Sequence, residues 1–134
     1  MKRFAMIGAA LALALGTVSA SGQADAVETA ELGKSTVTLH PRDFLTAEEL
    51  ALLRLVLVND QALAVFVQGG AGHAALAVAP AEGLIRAGKP VASAVALSEL
   101  PDADTAAAEA LKACEAARSG GAACEIVLEV ETRP

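Results

Sequence analysis

The chain reads as a small single α+β domain, with two helices packed on one mostly antiparallel sheet of about five short strands. Three observations predict this. Two stretches, opening at Thr46 and near Asp102, combine helix-start signals with apolar residues at helical spacing. Several short runs alternate or are apolar between Gly and Pro punctuation, as strands do. The length, 134 residues, suffices for one domain and not for two.

The elements follow in order. Residues 21–34 mix Gly, Ala, Ser and acids, and are expected to form a flexible arm ahead of a domain over residues 35–134. Residues 35–40 alternate, with Val37 and Leu39 on one face, and Pro41 stops the strand. Thr46 and Glu49 have capping-box spacing, and Leu45 and Leu50 occupy the positions of a hydrophobic staple. Leu50, Leu53, Val56 and Leu57 then recur at helical spacing, and the helix is expected to end near Asn59-Asp60.

Residues 62–68 and 73–79 are apolar runs separated by Gly69-Gly70-Ala71-Gly72, which predicts a β-hairpin. A helical turn is expected over residues 81–86 and a strand over residues 91–97. The second helix runs from Pro101-Asp102 to about Arg118, with an apolar stripe of Ala106, Ala107, Ala110, Leu111 and Cys114, and Gly120-Gly121 ends it. Residues 124–131 alternate, so Cys124, Ile126, Leu128 and Val130 are expected to face in and Glu125, Glu129 and Glu131 to face water.

The first twenty residues read as an address. Lys2 and Arg3 precede an uncharged apolar run over residues 5–15, and Val18-Ser19-Ala20 is a small-residue cleavage signature. This is the order of a secretory signal peptide, cut near Ala20, and it predicts a periplasmic or secreted protein. The apolar run is shorter than the roughly 20 residues of a spanning helix, so no membrane span is expected in the mature chain.

Composition narrows the function classes. The chain is alanine-rich, with 33 Ala, three Phe and neither Trp nor Tyr. It is acidic, with a net charge of −6, and losing Lys2 and Arg3 makes it more so. Nucleic acid is not an expected partner, since aromatic platforms and a basic groove are both lacking. Cys114 and Cys124 are the two cysteines, and an even count behind a signal peptide predicts a disulfide. Closing so short a loop is worth about 2.8 kcal/mol in the chain-entropy model. Redox chemistry needs a closer pair at a helix N-terminus, and His40 and His73 lack zinc-finger spacing, so no metal site is expected.

At residues 77–84 the chain reads A-V-A-P-A-E-G-L, and from Ala107 A-A-E-A-L-K-A-C, followed by a Gly-containing link and C-E-I-V. These segments resemble short exported bacterial proteins of unknown function with an A-x-x-A-L-x-x-C helix and a following C-x-V-V strand. The resemblance spans about residues 72–134 and rests on Ala107, Leu111, Cys114 and Cys124, which are structural positions. Some such relatives carry the label 5-aminolevulinate synthase. That activity belongs to much longer pyridoxal-phosphate enzymes and needs a Schiff-base lysine within a phosphate-binding fold. Lys34, Lys89 and Lys112 sit in no such context, so no cofactor is expected.

The expected function is that of a non-catalytic binding or interaction module in the envelope, stabilised by one disulfide, with an envelope protein or a small ligand as partner. The alternative is a small enzyme or ligand binder with its site at Gly69, Gly70, Gly72 and His73. Glycines there would let backbone N–H groups approach an anion, and His73 could serve as a base beside a carboxylate. A third reading is pairing of a partner strand with the sheet edge.

Overall fold

The computed structural model describes residues 26–67 and 71–134. It is α+β, and five strands form one antiparallel sheet in the order β1-β2-β7-β3-β6. The strands are β1 (Glu28–Leu32), β2 (Ser35–Leu39), β3 (Gly72–Val78), β6 (Val95–Leu100) and β7 (Glu125–Thr132). A separate two-stranded hairpin joins β4 (Ile85–Arg86) to β5 (Lys89–Pro90). The described helices are α1 (Ala47–Val58), α2 (Asp60–Phe66) and α3 (Ala103–Ala117).

The helices sandwich the sheet. On one face Leu53, Val56 and Leu57 of α1 and Leu63 of α2 pack with Val37, Leu39, Leu76, Val78, Leu128 and Val130. On the other, Ala106, Ala110 and Cys114 of α3 pack with Ala75, Ala77, Ala79 and Cys124. Alanine on both sides of the second interface lets the helix backbone approach β3 closely. The interior strand β3 is thus apolar on both faces, large toward α1 and small toward α3.

Both long helices form where their sequence signals lie. The Thr46 hydroxyl accepts the Glu49 N–H at 3.1 Å, and the Glu49 carboxylate accepts the Thr46 N–H at 2.9 Å. Leu45 and Leu50 both join the adjoining core. Asp102 caps α3 by accepting the Thr105 N–H at 2.7 Å. Cys114 and Cys124 are bonded, tying the last turn of α3 to the start of β7.

Five expectations are corrected. The strand expected over residues 91–97 begins only at Val95, as β6, because residues 91–94 turn, the Ala94 N–H donating to the Val91 carbonyl at 3.0 Å. The arm expected over residues 21–34 contains β1, whose Ala30 and Leu32 pack against the α1-side core while Thr29 and Glu31 are exposed. The strand expected over residues 62–68 is α2, so Gly72 follows a helix and no hairpin forms. Asn59 decides this: it ends α1, and its side chain then accepts the Ala62 N–H at 2.9 Å, capping the next helix. The turn over residues 81–86 gives way to the β4–β5 hairpin. Its two link residues, Ala87 and Gly88, have φ of 53° and 74°, as a type I′ turn requires. Last, the inward row of β7 is split. A register shift opposite Leu76 and Ala77 leaves Val127 as the extra residue. Cys124 and Ile126 therefore face α3, while Leu128 and Val130 face α1.

The leader over residues 1–20 lies outside the described residues. No described helix is long and apolar enough to cross a membrane.

Candidate functional site

α1 is apolar almost all round, and the core uses only part of it. Leu53, Val56 and Leu57 are buried, whereas Leu52, Leu55 and Val58 reach solvent, Leu52 at 41% exposure. On α2, Val65 is 76% exposed. Side chains of this kind grouped on one surface mark a binding face more often than a stable exterior.

Of these, Leu52 and Val65 border a groove of about 470 Å³. One wall is Leu52, Leu53 and Val56 of α1, continued by Ala62, Val65 and Phe66 of α2. The floor is Leu76 of β3 with Ala94, just before β6, and Ala96 and Ser98 along it, small residues that leave the space open. The opposite wall is Leu84, Ile85 and Pro90, from the β4–β5 hairpin and its approach. Ser98 is the one polar residue among these. The volume lies within the ~300–1,000 Å³ usual for small-ligand sites.

A buried carboxylate holds the walls together. Glu49 is 4% exposed, yet its Oε2 accepts the N–H groups of Leu84 at 2.6 Å and Ile85 at 2.9 Å. Burial acts to raise its pKa, but the N–H donors of Thr46, Ile85 and Leu84 outweigh it and hold the carboxyl below the usual glutamate value. The capping glutamate of α1 is thus also the latch that joins α1 to the hairpin wall. A Cβ on Gly83 would lie 3.1 Å from that same oxygen, and its φ of 76° suits glycine.

The sequence candidates gather elsewhere. Gly69 and Gly70 lie outside the described residues. Gly72 begins β3 at φ 131°, and a Cβ there would stand 3.1 Å from the Leu100 carbonyl oxygen and 3.2 Å from Glu99 Cα. Its described role is therefore close approach to the irregular end of β6, where Glu99 itself has φ 61°. His73 pairs in register with Glu131 and lines a cleft of about 140 Å³. Thr36, Thr38, Glu129, Glu131 and Ala103 also line it. Beside the cleft, His40 Nε2 and Glu129 Oε2 are 2.7 Å apart. Asp102, near His73 at the start of α3, has its carboxyl lowered by the Thr105 N–H and hydroxyl, with the His73 charge adding a little. The strand pairing thus does bring His73 beside carboxylates. Its cleft has under a third of the groove's volume.

Cys114 and Cys124 form a braced corner. Glu115 accepts the Cys124 N–H at 2.6 Å and pairs with Arg118, whose Nη1 donates to the Gly121 carbonyl at 2.9 Å. The Cys124 N–H and Arg118 together lower the Glu115 pKa.

The groove escaped sequence reading because its parts come from separate elements. One signal was visible, namely the surplus apolar residues on α1, since Leu52, Leu55 and Val58 exceed what one buried stripe needs. Among known proteins, no family model, curated sequence or solved structure matches the chain.

Proposed function

We propose that the protein is an exported binding module that takes an apolar ligand in the groove between α1–α2 and the β4–β5 hairpin, and that it performs no catalysis. The observation that carries this is the groove itself: a 470 Å³ concavity bordered by partly exposed Leu52 and Val65, whose lining holds one polar residue. Export is supported by the order of basic, apolar and small residues before Ala20, and by the Cys114–Cys124 bond, which persists in oxidising compartments.

Calorimetric titration with 1-dodecanol tests the binding reading. The disulfide-bonded protein should bind it with one site, and Val65→Glu should abolish binding without unfolding the chain, since Val65 is mostly exposed. Absence of binding to the wild type removes the proposal. Intact mass and thiol alkylation of exported protein test the rest: a chain starting near Ser21 with no free thiol is expected.

A second reading rests on the His73 cleft, where an imidazole adjoins Glu129 and Glu131. A small polar ligand is the chemistry it fits. Loss of such binding in His73→Ala, with 1-dodecanol binding retained, would place a ligand there.

A further inference from the structure

We infer that the groove is redox-gated: the Cys114–Cys124 bond holds the hairpin wall in place through Glu82, so reducing that bond loosens the wall and lowers ligand affinity. The consequence for affinity rests on the groove reading above. The coupling of bond to wall rests on contacts behind the groove.

The wall belongs to one excursion of the chain between β3 and β6, over residues 79–94. Glu49 grips its first strand, at the Leu84 and Ile85 N–H groups. Glu82 closes its base. The Glu82 Oε1 accepts the hydroxyl of Ser93, which is fully buried, at 3.0 Å, so the carboxylate ties the entry of the excursion to its exit. The Glu82 carbonyl accepts Arg86 Nε at 2.6 Å, and Arg86 Nη2 donates to the Ala81 carbonyl at 3.2 Å. The remaining oxygen, Oε2, reaches outside the excursion and accepts the Ser119 N–H at 3.0 Å, across 37 residues.

Ser119 lies in the loop that the disulfide closes. α3 ends at Ala117 and β7 begins at Glu125, and the bond spans that gap from Cys114 to Cys124. The loop lies hard against the base of the wall. Gly121 has φ 85°, and a Cβ on it would stand 2.7 Å from the Ala81 Cβ, so a larger residue there displaces one segment or the other. Opening the bond gives the 118–124 backbone more conformations. In few of them do the Ser119 N–H and Gly121 still meet Glu82 and Ala81. The reduction itself is a thiol–disulfide exchange. A dithiol such as dithiothreitol passes two electrons and two protons to the bond, closes to its own cyclic disulfide and leaves two cysteine thiols. The groove then changes in the position of its wall, not in its lining chemistry.

Amide hydrogen exchange of the ligand-free, disulfide-bonded protein reads the wall directly. The Val91 N–H donates to the Leu84 carbonyl, and the Leu84 and Ile85 N–H groups donate to Glu49. Reduction with dithiothreitol should speed exchange of these amides about tenfold more than that of Val37 and Val130, whose strands report unfolding of the whole sheet. Glu82→Ala in the oxidised protein should do the same, and Glu82→Gln, which keeps one acceptor oxygen, should do less. Reduction and Glu82→Ala break one linkage, so reducing that variant should add little. Calorimetric titration should show weaker 1-dodecanol binding in both the reduced wild type and Glu82→Ala. Hairpin amides that keep their protection on reduction, or lose it by the same factor as Val37 and Val130, overturn the coupling. Additive effects of reduction and Glu82→Ala overturn it as well. Unchanged 1-dodecanol affinity beside a loosened wall overturns the gating. Absence of 1-dodecanol binding to the oxidised wild type removes the groove reading and the gating with it, while the exchange rates still decide the coupling.

Discussion

The Glu49 carboxylate accepts the Leu84 N–H at 2.6 Å across a separation of 35 residues. The same side chain closes the capping box of α1. One buried charge therefore fixes a helix start and the position of the hairpin wall relative to that helix. Glu49→Ala leaves the Leu84 and Ile85 N–H groups without this acceptor and should cost about 1–3 kcal/mol in denaturant unfolding. Glu49→Gln keeps one acceptor oxygen and should cost less. Both should weaken ligand binding in the groove.

The same carboxylate gives a pH dependence. Its folded pKa is lowered, so its contribution to stability is complete above the ordinary value of about 4.5. It is lost as pH falls through the lowered native value. Glu28 beside Arg54 and Glu115 beneath Cys124 shift in the same direction, though their surface exposure makes their share smaller. Chemical denaturation between pH 3 and 7 should show stability falling toward the acid end. Glu49→Gln should flatten that slope.

Cys114–Cys124 joins a helix end to a strand start through a 10-residue separation. Reduction, or the double Cys114→Ser and Cys124→Ser variant, should cost about 2–4 kcal/mol. Thermal melts in the presence and absence of reductant should agree with the variant's melt. Equal Tm in oxidised and reduced wild type would show that the bond adds nothing to stability.

The α3 interface depends on small side chains. Ala110 is fully buried against β3, whereas Ala108 on the same helix is exposed. Ala110→Leu should destabilise by about 1–3 kcal/mol through overpacking. Ala108→Leu should be near neutral, and a melt of the pair separates packing from helix propensity.

Ala87 adopts φ 53° in the β4–β5 link, a conformation that costs a residue with a Cβ about 1–2 kcal/mol. Ala87→Asn creates Asn-Gly, the preferred type I′ pair, and should raise the unfolding midpoint. A lowered midpoint would refute that account of the turn.

Much of this architecture is legible in the sequence where the determinants are local. Thr46 and Glu49 lie three residues apart, Asp102 caps the helix it precedes, and the cysteines sit on neighbouring elements. The misses are places where a partner decides. Glu28 to Leu32 alternates weakly and becomes a strand by pairing with β2. The Ala62 to Phe66 run suits helix or strand, and the Asn59 cap with Leu63 burial settles it as helix. Ile126-Val127-Leu128 is uniformly apolar, so nothing local shows where the register shifts. His73 beside a carboxylate was foreseeable, but the groove was not, because its walls come from distant segments joined where Glu49 accepts the Leu84 and Ile85 N–H groups.

The central claim is that the groove is a binding site, and amide chemical-shift mapping of the disulfide-bonded protein with 1-dodecanol tests it most directly. The account predicts saturable shifts concentrated at Leu52, Val65, Ile85 and Ala96, with the His73 cleft unaffected. Shifts centred on Thr38, His73 and Glu131, or none at all, would contradict it.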